Sequence, residues 1–143
     1  MPILALLALG CVGDRERPGG PLDPGGSARL SVRLLAPETG ATVLTGVDIT
    51  VRVEARDLNA LYLDGVGFVA RRLSEGAPVV DSAAVRFPSR SDSTHEFMLR
   101  IPNSFQTNTQ VDIYGIAYGV RGANELSEPV HVTVVQCTDP VCE

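Results

Sequence analysis

The sequence predicts an all-β fold, an antiparallel β-sandwich, on three observations. Apolar and polar residues alternate with a period of two over most of residues 28–143, the pattern of strands with one buried and one solvated face. Turn-forming clusters interrupt that alternation at short intervals, which points to about 7–8 strands. No segment sustains the 3.6-residue period of an amphipathic helix.

The elements follow in chain order. Leu30, Val32 and Leu34 alternate with Ser31 and Arg33. Val47, Ile49, Val51, Val53 and Ala55 then alternate with Asp48, Thr50, Arg52, Glu54 and Arg56, five apolar residues against five polar ones. Further strands are expected at 65–73, 77–80, 83–87, 95–101, 110–120 and 129–136. Turns are expected at Pro37-Glu38-Thr39-Gly40, Ser74-Glu75-Gly76, Pro88-Ser89, Pro102-Asn103 and Gly122-Ala123-Asn124. There proline presets φ, glycine supplies positive φ, and serine or asparagine bonds its own backbone. Residues 28–143 have the length of one domain with a single core.

Several pieces recur in a characteristic order. Ala36-Pro37-Glu38-Thr39-Gly40-Ala41-Thr42-Val43 precedes the strand at 47–57, which precedes Gly65-Val66-Gly67-Phe68. Later come Thr109-Gln110-Val111-Asp112-Ile113-Tyr114-Gly115-Ile116-Ala117, the turn at 122–124, Ser127, and Val130-His131-Val132-Thr133-Val134. In order and spacing this series resembles bacterial Ig-like domains over residues 30–135. The resemblance implies an Ig-like sandwich and says little about function. The chain has no Trp and no cysteine pair within the sandwich. The apolar faces must therefore hold the two sheets together alone.

The N-terminus carries a different signal. Residues 3–9 are all apolar, Leu7-Ala8-Leu9-Gly10-Cys11 closes the run, and Asp14-Arg15-Glu16-Arg17 follows. This arrangement resembles the lipobox of a bacterial lipoprotein signal peptide. The resemblance implies that residues 1–10 are removed and that Cys11 becomes the first residue, bearing three acyl chains. One chain holds a protein only marginally, whereas three make attachment lasting. Val12 in place of Asp resembles the outer-membrane-sorted class, so the outer membrane or cell surface is expected over the inner membrane. The apolar run is short and no Lys or Arg precedes it, which implies a basic n-region upstream of Met1. Residues 11–27 carry prolines at 18, 21 and 24 and glycines at 13, 19, 20, 25 and 26, with Leu22 almost alone as burial material. They are expected to form a disordered tether spanning roughly 20–25 Å. No later apolar run is long enough for a membrane helix.

With Cys11 lipidated, Cys137 and Cys142 remain, bracketing Thr138-Asp139-Pro140-Val141. The Asp-Pro step favours a turn, and a turn brings two Cα atoms within the roughly 4.4–6.8 Å that a disulfide demands. So short a loop stabilises by about 2 kcal/mol at most, chiefly by securing the end of the last strand. A structural metal would need four ligands, and beyond these cysteines only His95 and His131 are available. Neither a metal nor another cofactor is expected.

Catalytic patterns are weak. His95 stands beside Glu96 after Ser89, Ser91, Asp92 and Ser93, but adjacency in sequence is not triad geometry. The chain has neither a nucleophile elbow, nor a His-Glu-x-x-His, nor a phosphate-cradling glycine loop. Residues 89–94 are expected as a solvated loop with His95 at a strand rim, and the protein is not expected to be an enzyme. The net charge is -5 and all 12 basic residues are arginines without clustering, so nucleic acid is not an expected partner. Asp57, Asn59 and Asp64 offer oxygen ligands for calcium, but they lack the closely repeated acidic pattern of a dedicated calcium loop, and a plain loop is expected, since Asp and Asn also serve turns.

One strand points to a partner. Along 110–120, Val111, Ile113, Gly115 and Ala117 form the face expected to point inward. Tyr114, Ile116, Tyr118 and Val120 are then outward, beside Val69, Arg71, His131, Thr133 and Val135 on neighbouring strands. An exposed apolar, tyrosine-bearing sheet face is the kind of surface that marks interaction sites. A one-residue slip would exchange the two faces. The expectation is a membrane-anchored module docking an envelope or extracellular protein through this face. A passive structural unit of a surface assembly, or carbohydrate binding on the same tyrosines, are the alternatives.

Overall fold

Nine strands form in the computed structural model, which describes residues 29–58, 63–74, 76–90 and 92–142, except for the side chains of 87–90, 121 and 141. The expected signal peptide, Cys11 and tether lie outside the described residues, as do Asn59, Glu75 and Ser91. The strands are β1 (Leu30–Ala36), β2 (Thr42–Leu44), β3 (Asp48–Asp57), β4 (Leu63–Arg72), β5 (Val79–Arg90), β6 (Asp92–Arg100), β7 (Thr109–Gly119), β8 (Asn124–Leu126) and β9 (Val130–Val135). A smaller sheet runs β1-β3-β6. The larger runs β2-β9-β7-β4-β5, with β8 also paired to β7. This order, with the first strand's continuation laid against the last, is an Ig-like sandwich.

Alternation decides which side chains meet between the sheets. Val51, Val53 and Ala55 of β3 and Leu99 of β6 are fully buried against Leu63, Val66 and Ala70 of β4, Val111, Ile113 and Ala117 of β7, and Val132 and Val134 of β9. Each large apolar side chain so buried contributes about 1.5–3 kcal/mol. Phe68 and Phe97 meet across the core with ring centroids 5.4 Å apart. At Gly115 an added Cβ would lie 3.1 Å from Val53 Cγ1 and 3.2 Å from Val32 Cγ2. The missing side chain lets the sheets close at that point.

Four details depart from the expected elements. The strands expected at 77–80 and 83–87 are one strand, β5, and Pro88-Ser89 lies within it instead of forming a turn. Proline is tolerated there because β5 is an outermost strand of its sheet and its register against β4 shifts between Leu63–Arg90 and Gly65–Arg86. Strand β6 begins at Asp92, so His95 is not at a strand's start, and the described residues of 89–94 lie in strands instead of a loop. The strands β2 and β8 are three residues each, too short for periodicity to reveal. Finally, β2 pairs with β9 in parallel, so the sandwich is not wholly antiparallel. The chain leaves the smaller sheet at Ala36–Pro37, a cis peptide, and joins the larger one beside its last strand.

The ends of the sandwich are tied by side chains. Cys137 and Cys142 form a disulfide with Cα atoms 6.1 Å apart. The Cys137 N–H donates to Oγ1 of buried Thr45 at 3.0 Å. Next to it, Gly46 has φ 72°, and a Cβ there would overlap the Cys142 carbonyl oxygen and Asn103 Oδ1. The C-terminal tail thus seats on the β2–β3 turn. Along one side, Asp81 of β5 accepts the Ser82 N–H on Oδ1 at 2.8 Å and the Arg100 N–H of β6 on Oδ2 at 3.2 Å. One carboxylate therefore links the outer strands of the two sheets.

Candidate functional site

The two outward faces differ in chemistry. On the smaller sheet, cross-strand register places Arg33 opposite Glu54, Arg52 opposite Glu96 and Arg100 opposite Asp48. Arg33–Glu54 and Arg52–Glu96 are ion pairs, with Arg56–Glu54 at 3.7 Å and Arg100–Asp48 at 3.8 Å completing the array. The Arg33 guanidinium, by hydrogen bond and charge, holds the Glu54 carboxyl below its ordinary value. Solvated pairs of this kind contribute little each, but they make this face mainly polar, with Leu35 and Met98 the exposed apolar side chains among them.

The larger sheet presents rows of another character. Register aligns Leu126, Ile116, Gly67 and Ala84 across β8, β7, β4 and β5, and beside them Asn124, Tyr118, Gly65 and Arg86. The next row is Tyr114, Val69 and Ser82, and beyond it His131, Asp112 and Arg71. Glycine at 65 and 67 leaves bare backbone in the middle of this face. The result is a hollow of about 650 Å³ lined by Val69, Arg71, Ser82, Ala83, Ala84, Tyr114, Ile116, Tyr118 and Leu126, with Phe68 contributing at its floor. Its volume falls in the range of sites that hold a drug-sized group. Larger residues at the glycines are excluded by the neighbouring strand, since a Cβ at Gly67 would lie 2.7 Å from the Ala83 carbonyl oxygen.

Charges frame the hollow. Arg86 lies over the Tyr118 ring, 4.2 Å from its centroid, and pairs with Asp64 at 2.5 Å. At the other end stands Arg71, beside Asp112 in the register. Asp112 is buried, and its Oδ1 is 2.6 Å from His131 Nδ1.

Of the residues the sequence places on this outward face, the structure brings only some together. Val69, Arg71, Tyr114, Ile116 and Tyr118 line one hollow. His131 shares their face, in the row of Asp112 and Arg71, but is tied to Asp112 and does not line the hollow. Val135 lies at the end of β9 opposite Leu44 and takes no part in the hollow. Tyr114, Ile116 and Tyr118 are half-buried, not fully exposed, because β7 is an inner strand with β4 on one side and β8 and β9 on the other. Sequence reasoning missed Ser82, Ala84, Arg86 and Leu126. The signal available was the pair of glycines at alternate positions of a strand otherwise rich in apolar residues.

The other candidate sites disperse. His95 faces inward with its ring 4.6 Å from that of Phe97, and Asp92 is exposed. Asp57 is buried at the end of β3, whereas Asp64 is engaged by Arg86 on the larger sheet. Among the described residues, no three His, Cys, Asp or Glu side chains gather as a metal site would require. No described helix is long and apolar enough to cross a membrane.

No family model matches this chain, and no curated protein resembles it in sequence. Among solved structures it is similar to the fibronectin(III)-like modules of CbhA from Clostridium thermocellum, with TM-score 0.49, 18% identity, and coverage of 76% of this chain and 47% of that one. The chain therefore spans about half the length of that protein's chain, 47%. It is also similar to a CARDB domain from Pyrococcus furiosus, with TM-score 0.49, 11% identity, and coverage of 77% and 96%. A third similarity is to the sporulation control protein Spo0M of Bacillus subtilis, with TM-score 0.49, 9% identity, and coverage of 77% and 50%.

Proposed function

We propose that this chain is a non-catalytic, membrane-anchored lipoprotein of the bacterial envelope, outer membrane or cell surface, which binds a protein partner through the outer face of its larger sheet. The anchoring rests on the resemblance at Cys11. The binding rests on one observation: the smaller sheet faces outward with ion pairs, the larger with tyrosines, aliphatic residues and a hollow. Burial of apolar and aromatic surface drives association, whereas solvated charge resists it. Arg86 covering Tyr118 counts against a glycan, which would need that ring for stacking.

A photoreactive residue placed at Ser82 or Leu126, and separately at Thr50 or Met98 on the smaller sheet, tests the face in the native host. Adducts to a defined protein are expected from the first pair alone. Adducts arising only from the second pair, or equally from both, refute the assignment. Intact mass of the membrane-extracted protein tests the anchor. The expected species starts at Cys11 with three acyl chains and gains two hydrogens on reduction. A species retaining residues 1–10 without lipid removes the membrane from the proposal.

A further inference from the structure

Strand β5 is one of the two outermost strands of the larger sheet and, at 12 residues, the longest strand among the described residues. An outermost strand presents a row of main-chain donors and acceptors that another strand can pair with. Which groups of β5 point outward follows from its contacts with β4. The carbonyl oxygens of Ala83 and Val85 lie against Gly67 and Gly65, turned toward β4. In an antiparallel ladder the intervening residues then turn their N–H and C=O groups the other way, so those of Ser82, Ala84 and Arg86 face the open side.

That open side is blunted at both ends and bare between them. At one end the Ser82 N–H is taken by Asp81 Oδ1. At the other, the register shift before Arg90 contains Pro88, which has no N–H to offer. The bare stretch at Ala84 and Arg86 lies directly beside the hollow, and Ala84 and Ser82 are among the residues that line it. A side chain on a strand added here would project over Ala84 into space that Gly67 leaves empty. At the β5 N-terminal end of the hollow stands Arg71, for which no ion pair forms among the described residues.

We infer that β5 is a strand-addition site, taking an extended peptide segment antiparallel to it along Ala84 and Arg86. The segment carries an apolar side chain over the hollow and a carboxylate toward Arg71. Backbone pairing supplies affinity and the hollow with its arginine supplies selection. This deepens the proposed function, since it rests on the larger sheet being the binding face, and it names what that face receives.

The test uses the folded protein labelled for amide NMR and the acetylated, amidated peptide Thr-Leu-Thr-Leu-Thr-Asp-Thr. Run antiparallel, its aspartate reaches the Arg71 end. Main-chain pairing is largely independent of sequence, so this peptide suffices. The expected result is slowed exchange and shifted resonances for the Ala84 and Arg86 amides, saturating in roughly the millimolar range. N-methylation of alternate peptide residues should abolish it. Replacing the aspartate with asparagine should weaken binding several-fold, and Arg71→Gln should remove that difference. Shifts confined to Tyr114, Tyr118 and Leu126 overturn strand addition while leaving the binding face intact. No change at Ala84 or Arg86 up to saturation of the peptide's solubility also overturns it. Protection of those amides that grows with protein concentration alone assigns the strand to a second copy of this chain, and overturns a foreign peptide as the occupant.

Discussion

Asp81→Ala removes two acceptors at once, from the Ser82 N–H at 2.8 Å and the Arg100 N–H at 3.2 Å. Hydrogen bonds to a charged acceptor contribute about 1.5–3 kcal/mol when buried. Asp81 is half-buried and both amides sit on outer strands, so water replaces much of what is lost. About 1–2 kcal/mol for the two together is the expected cost. With a urea dependence of about 1.5 kcal/mol per molar, the unfolding midpoint falls by about 1 M. Urea titration followed by fluorescence or circular dichroism reads that change, and amide exchange locates it. Both Ser82 and Arg100 should exchange faster in Asp81→Ala. Asp81→Asn keeps an acceptor for one amide only, so protection returns at one of the two. An alanine variant with an unmoved midpoint and unchanged exchange at both amides refutes the role of this carboxylate in joining the sheets.

Gly46→Ala combines a left-handed φ of 72° with overlap onto the Cys142 carbonyl, and is expected to lower stability by about 2 kcal/mol or more in calorimetry. In a Cys137→Ser/Cys142→Ser background the tail can move aside, so the same glycine change should cost about 1 kcal/mol, a non-additivity that a double-mutant cycle detects. The cysteine pair itself closes a loop of sequence separation 5, and its removal should lower stability by about 2 kcal/mol in urea. Phe68→Ala empties the contact with Phe97 and should cost about 3–5 kcal/mol, enough to leave the domain partly unfolded by circular dichroism. Glu54 has a folded pKa below its ordinary 4.5 because of Arg33, so its contribution is present above that pH and disappears as pH falls through the folded value. The stability gap between wild type and Arg33→Gln should therefore narrow below pH 4.5 in acid titrations.

The sandwich was legible because burial on one face imposes a period of two. Strand β3, with its five-against-five alternation, could scarcely be read otherwise. The inward and outward sides of β7 were legible for the same reason. The strands β2 and β8 were not, since three residues cannot establish a period. Strand β5 was divided in two because Pro88-Ser89 reads locally as a turn, and only its place at the sheet's margin makes proline acceptable there. The hollow escaped notice for a physical reason: it is made of side chains that are missing. Gly65 and Gly67 acquire meaning only once Ala84 and Arg86 lie opposite them. Asp81 was equally silent, because its two partners sit on different sheets.

The parallel pairing of β2 with β9 has a mechanical consequence. The described chain begins beside the β3–β4 end of the sandwich, where Leu58 N–H donates to Arg29 O at 2.7 Å, and finishes at the opposite end beside Gly46. A pull applied between the two ends draws β2 and β9 along their lengths in opposite senses. Their bonds, Gly40 N–H to His131 O at 2.8 Å, Thr133 N–H to Ala41 O at 3.0 Å and Thr45 N–H to Val135 O at 3.1 Å, are loaded in shear and share the force. They must rupture together instead of opening one after another like a zip. A module held by its N-terminal side and loaded through its C-terminal side would resist extension with a steep threshold in force.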